Sequence, residues 1–208
     1  MIRGRLVGAG VLVLALYVGH VVTSELDINE VRTDPFVRTG TVGHAVHLVY
    51  ADVEVTDVEP ARYVAPVDDS ELARMAGGVF VMVVATVTPT RASETMRAVY
   101  LVDEEGRQYV PSQKAACAST VTSSAAVPAY GLFCFDVPTG ALAGLRFRIA
   151  RGSEVYDSTR GDDMAEVDLG ISPVDAKTWA KTEAAYRQDL YSDEPIELQP
   201  VTLTEVES

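Results

Sequence analysis

The first pattern along the chain is unbroken and apolar. Leu6 to Val22 carries no charge, Arg3 and Arg5 precede it, and Glu25, Asp27 and Glu30 follow. A run of this length sits at the short end of the ~17–25 residues that span a bilayer. Basic residues on its N-terminal side keep that end in the cytoplasm. Residues 1–24 therefore read as a transmembrane signal anchor, with the rest of the chain extracytoplasmic. A cleaved signal peptide shares this layout, although Gly19 to Ser24 offer only a weak version of the small residues a cleavage site needs. The third reading is a core helix of a cytoplasmic protein. No Cys stands next to the apolar run, so anchoring through a lipid-modified cysteine is not expected.

Beyond the anchor, residues 25–41 are polar and irregular, with Asp34-Pro35 as a turn signal, and are expected to form a stalk. The period then becomes that of strands. Val46 to Tyr50 and Asp52 to Thr56 alternate apolar with polar side chains, as a half-buried sheet requires. Residues 60–78 mix Pro, Asp and Gly, with room for one helical turn over 68–74. Val79 to Val87 is continuous and β-branched. Bounded by Gly77, Gly78 and Pro89, it is too short for a second span and predicts a central strand covered on both faces.

Met96 to Val102 and Arg107 to Val110 flank Asp103-Glu104-Glu105-Gly106, whose glycine can close a short hairpin. Residues 112–129 form a Ser- and Ala-rich loop. Gly131 to Val137 is a strand stopped by Pro138, Leu145 to Ile149 alternates cleanly, and Glu166 to Ile171 is a last short strand. Some seven short strands separated by turn signals predict an all-β, antiparallel sandwich over residues 42–171. Ser172-Pro173 has the form of a helix cap followed by proline in the first turn. A C-terminal helix is expected over 172–190, with Trp179, Tyr186 and Leu190 at helical spacing, either packed on the sandwich or exposed as a partner-binding segment. Residues 191–208 read as a mobile acidic tail.

Charge narrows the partners. The formal net charge is −13 and the basic residues are scattered, which argues against nucleic acid, because phosphate binding needs a positive patch. Three Lys against fourteen Arg suggest a high-GC coding bias. Cys117 and Cys134 both lie beyond the anchor. In an oxidising compartment they are most simply one disulfide, worth ~3 kcal/mol in the chain-entropy picture. Two buried thiols, or a metal site lacking nearby His, are the alternatives.

The succession of the Val79–Val87 strand, Val99-Tyr100-Leu101-Val102-Asp103-Glu104-Glu105-Gly106-Arg107-Gln108-Tyr109 and Gly131-Leu132-Phe133-Cys134-Phe135-Asp136-Val137-Pro138 resembles the immunoglobulin-like extracytoplasmic domains of unknown function common in Gram-positive bacteria. The resemblance covers roughly residues 40–170. It implies an immunoglobulin-like sandwich and brings no catalytic residues with it. The apolar N-terminal run, the C-terminal helix and the acidic tail depart from that pattern.

Reactive constellations are sparse. His44 and His47 are three apart, a spacing that places them on opposite faces of a strand and argues against a shared metal. There is no G-x-S-x-G elbow. Asp162 to Asp168 supplies oxygen ligands of the kind calcium takes, without the ladder of a calcium-binding loop. No cofactor and no enzymatic activity are expected. The expected function is a membrane-anchored interaction module, an accessory or assembly factor of a cell-envelope system docking on an envelope or membrane protein. Trp179, Tyr186 and Leu190 are its candidate contact residues. The alternative is an extracytoplasmic ligand-binding module for a wall polymer, a small solute or calcium.

Overall fold

Among the described residues, two six-stranded sheets face each other across a core of alternating side chains. The computed structural model describes residues 14–20, 35–65, 73–113, 117–152, 162–187 and 196–201. It divides into two units, Met1–Asp34 and Pro35–Ser208. In the first unit, residues 14–20 are helical (α1). Among the described residues no helix is long and apolar enough to cross a membrane. Residues 6–13 and 21–22 of the apolar run lie outside them, as do residues 21–24 of the weak cleavage site.

The second unit is the sandwich. Its strands are β1 (Phe36–Thr41), β2 (Val46–His47), β3 (Ala51–Ala65), β4 (Arg74–Pro89), β5 (Glu94–Val102), β6 (Gln108–Tyr109), β7 (Val121–Ser123), β8 (Ala129–Val137), β9 (Arg146–Arg151), β10 (Asp163–Asp168), β11 (Ala185–Arg187) and β12 (Gln199–Val201). One sheet runs β1-β10-β9-β5-β6 with β7 on β5, and the other runs β12-β11-β3-β4-β8 with β2 on β3.

The all-β sandwich expectation holds in this coarse form, and the strict antiparallel one does not. β1 pairs with β10 in parallel, and so does β11 with β3. Residues 36–41, expected at the end of the stalk, are thus a strand. Their exposed pattern reflects an edge position. Residues 60–65 and 74–78, expected in a loop, extend β3 and β4, while residues 66–72 lie outside the described set. β3 makes this length possible with two bulges, between Val55 and Asp57 and between Ala61 and Tyr63; such bulges bend and twist a long strand. Gly78 is needed inside β4, since a Cβ there would stand 2.1 Å from the Val137 carbonyl oxygen.

β4 is buried on both faces, as its continuous apolar run requires. Val79, Val81, Val83, Ala85 and Val87 point into the main core, and Phe80, Met82 and Val84 into a second cluster on the outer side. Phe147 of β9 closes the main core from the facing sheet, 5.7 Å from the Phe133 ring and 6.1 Å from that of Phe135. α2 (Pro173–Trp179) follows β10. Ser172 and Asp175 form a reciprocal capping box, in which each side chain accepts a hydrogen bond from the other's backbone amide. The helix ends at Trp179, well short of the expected 190.

Candidate functional site

The densest polar cluster lies where β1 joins the sandwich. Phe36 sits opposite Asp163 in the register of β1 and β10, and its amide donates to the Asp162 carbonyl at 2.8 Å. Asp163 is 4% exposed. A buried carboxylate needs charge and hydrogen-bond compensation. Here the Val49 amide donates to it at 3.0 Å and Arg38 Nε at 3.3 Å. The Tyr50 hydroxyl donates to the Asp163 carbonyl at 2.7 Å and accepts from the Arg151 amide at 3.1 Å. Burial, the largest influence, pushes the Tyr50 hydroxyl up to about 12. The Arg151 guanidinium stacks 4.4 Å from the Tyr50 ring centre and also pairs with Asp162 (2.5 Å) and Glu94 (3.1 Å).

This cluster ties β1, the β2–β3 turn, β5, β9 and β10 together at one end of the sandwich. The surface around it is apolar: Phe36 and Val49 are each 63% exposed. Local periodicity gave no sign of the grouping, because Arg38 and Asp163 are 125 residues apart in sequence.

Further along β9 and β10, Arg146 and Arg148 both pair with Glu166, at 3.4 and 2.5 Å. A cleft of about 360 Å³ lies beside them, lined by Thr39, Gly40, Thr41, Arg146, Glu166 and Asp168. Asp162, Asp163 and Glu166, candidate calcium ligands, are thus each engaged by an arginine. Among the described residues no group of three or more His, Cys, Asp or Glu side chains is placed to hold a metal ion. His44 keeps to Thr41 and the Val42 carbonyl, and His47 pairs with Asp52 at 2.7 Å.

At the opposite end, the hairpin between β5 and β6 is organised by Asp103, which is 2% exposed. It accepts from the amides of Glu105 and Arg107, from Arg107 Nε and from the Tyr109 hydroxyl. Burial opposes its ionisation, but these donors outweigh burial and hold the carboxyl at about 2. This is a structural role, in keeping with a hairpin tip.

Cys117 and Cys134 are joined in a disulfide with their Cα atoms 5.7 Å apart. The bridge sits beside the free edge of β8. There the Ser112 amide donates to the Cys134 carbonyl at 2.7 Å, and the Ala118 amide to that of Leu132 at 2.8 Å. An otherwise open strand edge is covered in this way.

Of the expected contact residues, Trp179 and Tyr186 pack against different clusters. Trp179 ends α2 half-buried and packs against the main core. Tyr186 lies in β11 instead of on a helix. It packs half-buried against the second cluster, beside Ile196 and Leu198, and its hydroxyl bonds Glu59, whose carboxyl is raised by burial and by Asp57. Leu190 lies outside the described residues. Of the expected acidic tail, Gln199–Val201 pairs with β11 as β12.

No known protein family matches the chain, and no curated protein matches it. Among solved structures it is similar to the yjhA protein from Bacillus subtilis, at 12% identity and a TM-score of 0.47, over 62% of this chain and 99% of that one. It is also similar to a secreted protein from Mycobacterium tuberculosis, at 16% identity and a TM-score of 0.45, over 65% of this chain and 99% of that one. An uncharacterized beta-sandwich protein from Clostridium difficile aligns at 10% identity and a TM-score of 0.38, over 65% of this chain and 96% of that one. Likenesses of this degree assign the chain neither a family nor a function.

Proposed function

We propose that this chain is an extracytoplasmic interaction module with an immunoglobulin-like sandwich, held to the cell membrane by residues 6–22. In this reading it serves as an accessory or assembly factor of a cell-envelope system. The observation that carries the proposal is the uncharged run from Leu6 to Val22 behind Arg3 and Arg5. The disulfide beyond it agrees with an oxidising compartment. Among the described residues β1 pairs with a single strand, β10. Its six residues therefore offer a strand edge of the kind partners use for pairing. Trp179 and Tyr186 are packed as described above, so in this reading the docking surface is the outward edge of β1 from Arg38 to Thr41.

In-cell crosslinking of the tagged full-length protein, followed by purification from membranes and mass spectrometry, tests this. A stoichiometric envelope or membrane protein, lost when Thr39→Pro blocks edge pairing, supports the module. An eluate holding this chain alone refutes it. The 360 Å³ cleft beside Arg146 favours the alternative of a small polar ligand. A thermal shift with one ligand class, abolished by Arg146→Ala, would establish that second reading.

A further inference from the structure

We propose that the end of the sandwich carrying Phe36 rests on the lipid headgroup layer of the membrane that holds residues 6–22; the inference rests on the anchor reading above. Exposed apolar residues gather at this end: Phe36, Val49 and Val127, with Val37 next to Phe36 in the chain. Their common location follows from the hydrogen bonds. Val49 and Phe36 flank Asp163. Thr90 donates to the Tyr50 carbonyl at 3.0 Å, and Ala126 donates to that of Pro89 at 2.7 Å. The turns bearing Val49, Thr90 and Val127 are therefore neighbours of the start of β1.

The charges at this end suit an anionic lipid surface. Asp162, Asp163 and Glu94 are paired with Arg151 and Arg38, and with the neighbouring Arg91 the count is three acids to three arginines, so this end does not share the acidic excess of a chain of net charge −13. Arg38 is 55% exposed, and Arg91 is exposed as well. An aromatic ring, branched aliphatics and arginines together are the composition that seats at the boundary of headgroups and acyl chains.

Chain length selects the occupant. Residues 23–35 separate the apolar run from Phe36. A chain of about 13 residues reaches no more than ~45 Å when fully extended. The start of β1 is thus confined near the bilayer, and a tethered surface meets its partner at high effective concentration. A weak contact is then enough to be populated.

The test uses the full chain in vesicles of phosphatidylethanolamine and phosphatidylglycerol brominated near the top of the acyl chains. In a Trp179→Phe background, Phe36→Trp or Val49→Trp places the sole indole at this end, and Val110→Trp places it away from it. Alkaline extraction of the same vesicles reports the anchor separately. The expected result is about a twofold or larger loss of emission for Phe36→Trp and Val49→Trp, in line with insertion to the depth of an interfacial residue, with Val110→Trp unquenched. Resistance to alkaline extraction with no quenching at either site would overturn the docking and leave the anchor standing. Release by alkali would overturn both. Matching far-ultraviolet spectra for the three variants secure the comparison.

Discussion

Replacing Asp103 by Asn removes one charge and leaves the shape of the side chain almost unchanged. In the native hairpin, Oδ1 accepts from the Glu105 and Arg107 amides, both at 2.9 Å, and Oδ2 from Arg107 Nε at 2.6 Å and the Tyr109 hydroxyl at 2.9 Å. Asparagine can keep the two amide contacts but turns an NH2 group toward Arg107. The native carboxyl titrates at about 2 instead of 3.8. At 1.36 kcal/mol per pH unit this favours the ionised folded form by about 2 kcal/mol. Arg107 is 54% exposed, so the loss falls below the 3–5 kcal/mol of a fully buried pair.

Urea unfolding in detergent micelles, followed by the emission of the single Trp179, should show Asp103→Asn about 2 kcal/mol less stable at pH 7. Because the folded carboxyl titrates below the unfolded one, this stabilisation is complete above pH 3.8 and disappears as the pH falls through 2. The gap between native and variant should therefore close across that interval. A difference under ~0.5 kcal/mol at pH 7, the size of an ordinary surface substitution, or a gap indifferent to acid, would refute the assignment of Asp103 as the charged organiser of the hairpin.

Loss of the disulfide by Cys117→Ala with Cys134→Ala should cost ~3 kcal/mol and speed amide exchange at Ser112 and Ala118, as read by mass spectrometry. Tyr50→Phe should cost ~1–2 kcal/mol at neutral pH, since one buried and one part-buried hydrogen bond at its hydroxyl are lost. The neutral hydroxyl is favoured up to about 12, so the native protein loses this advantage as pH rises from 10 through 12. Melting curves should show the difference narrowing over that range. Ser172→Ala removes one half of the capping box and should destabilise α2 by ~1 kcal/mol, seen as faster exchange in residues 175–179 with β9 unchanged.

The core strands were legible because their side chains obey a local rule. Val79 to Val87, Gly131 to Val137 and Leu145 to Ile149 each state their own burial, and the cysteine pair needed only a compartment. The strands that eluded sequence reading obtain their order from distant partners. Phe36 to Thr41 alternates weakly because an edge strand buries little. Its place is fixed by backbone bonds to β10, more than a hundred residues later. Ala185–Arg187 is held by Tyr63–Ala65 in the same way. The helical spacing of Trp179 and Tyr186 was real in sequence but met a helix that stops at Trp179. The cluster around Asp163 was invisible for the same reason, since its members come from five separated segments. Arg38 looked like an ordinary surface charge, and Asp162 like part of an acidic stretch suited to calcium.

The parallel pairing of β1 with β10 has a mechanical meaning. Tension arriving through residue 35, against a grip on the far end of the sandwich, pulls β1 along its own axis past β10. The evenly spaced bonds of a parallel ladder, running from Phe36 to Thr41, then share the load together in shear. Peeling, by contrast, would break them one after another. Rupture under force is governed by the unfolding barrier and not by equilibrium stability, and the first strand is laid out to raise that barrier. A domain tethered to a membrane and pulled from its other end would yield last at the strand where the tether begins.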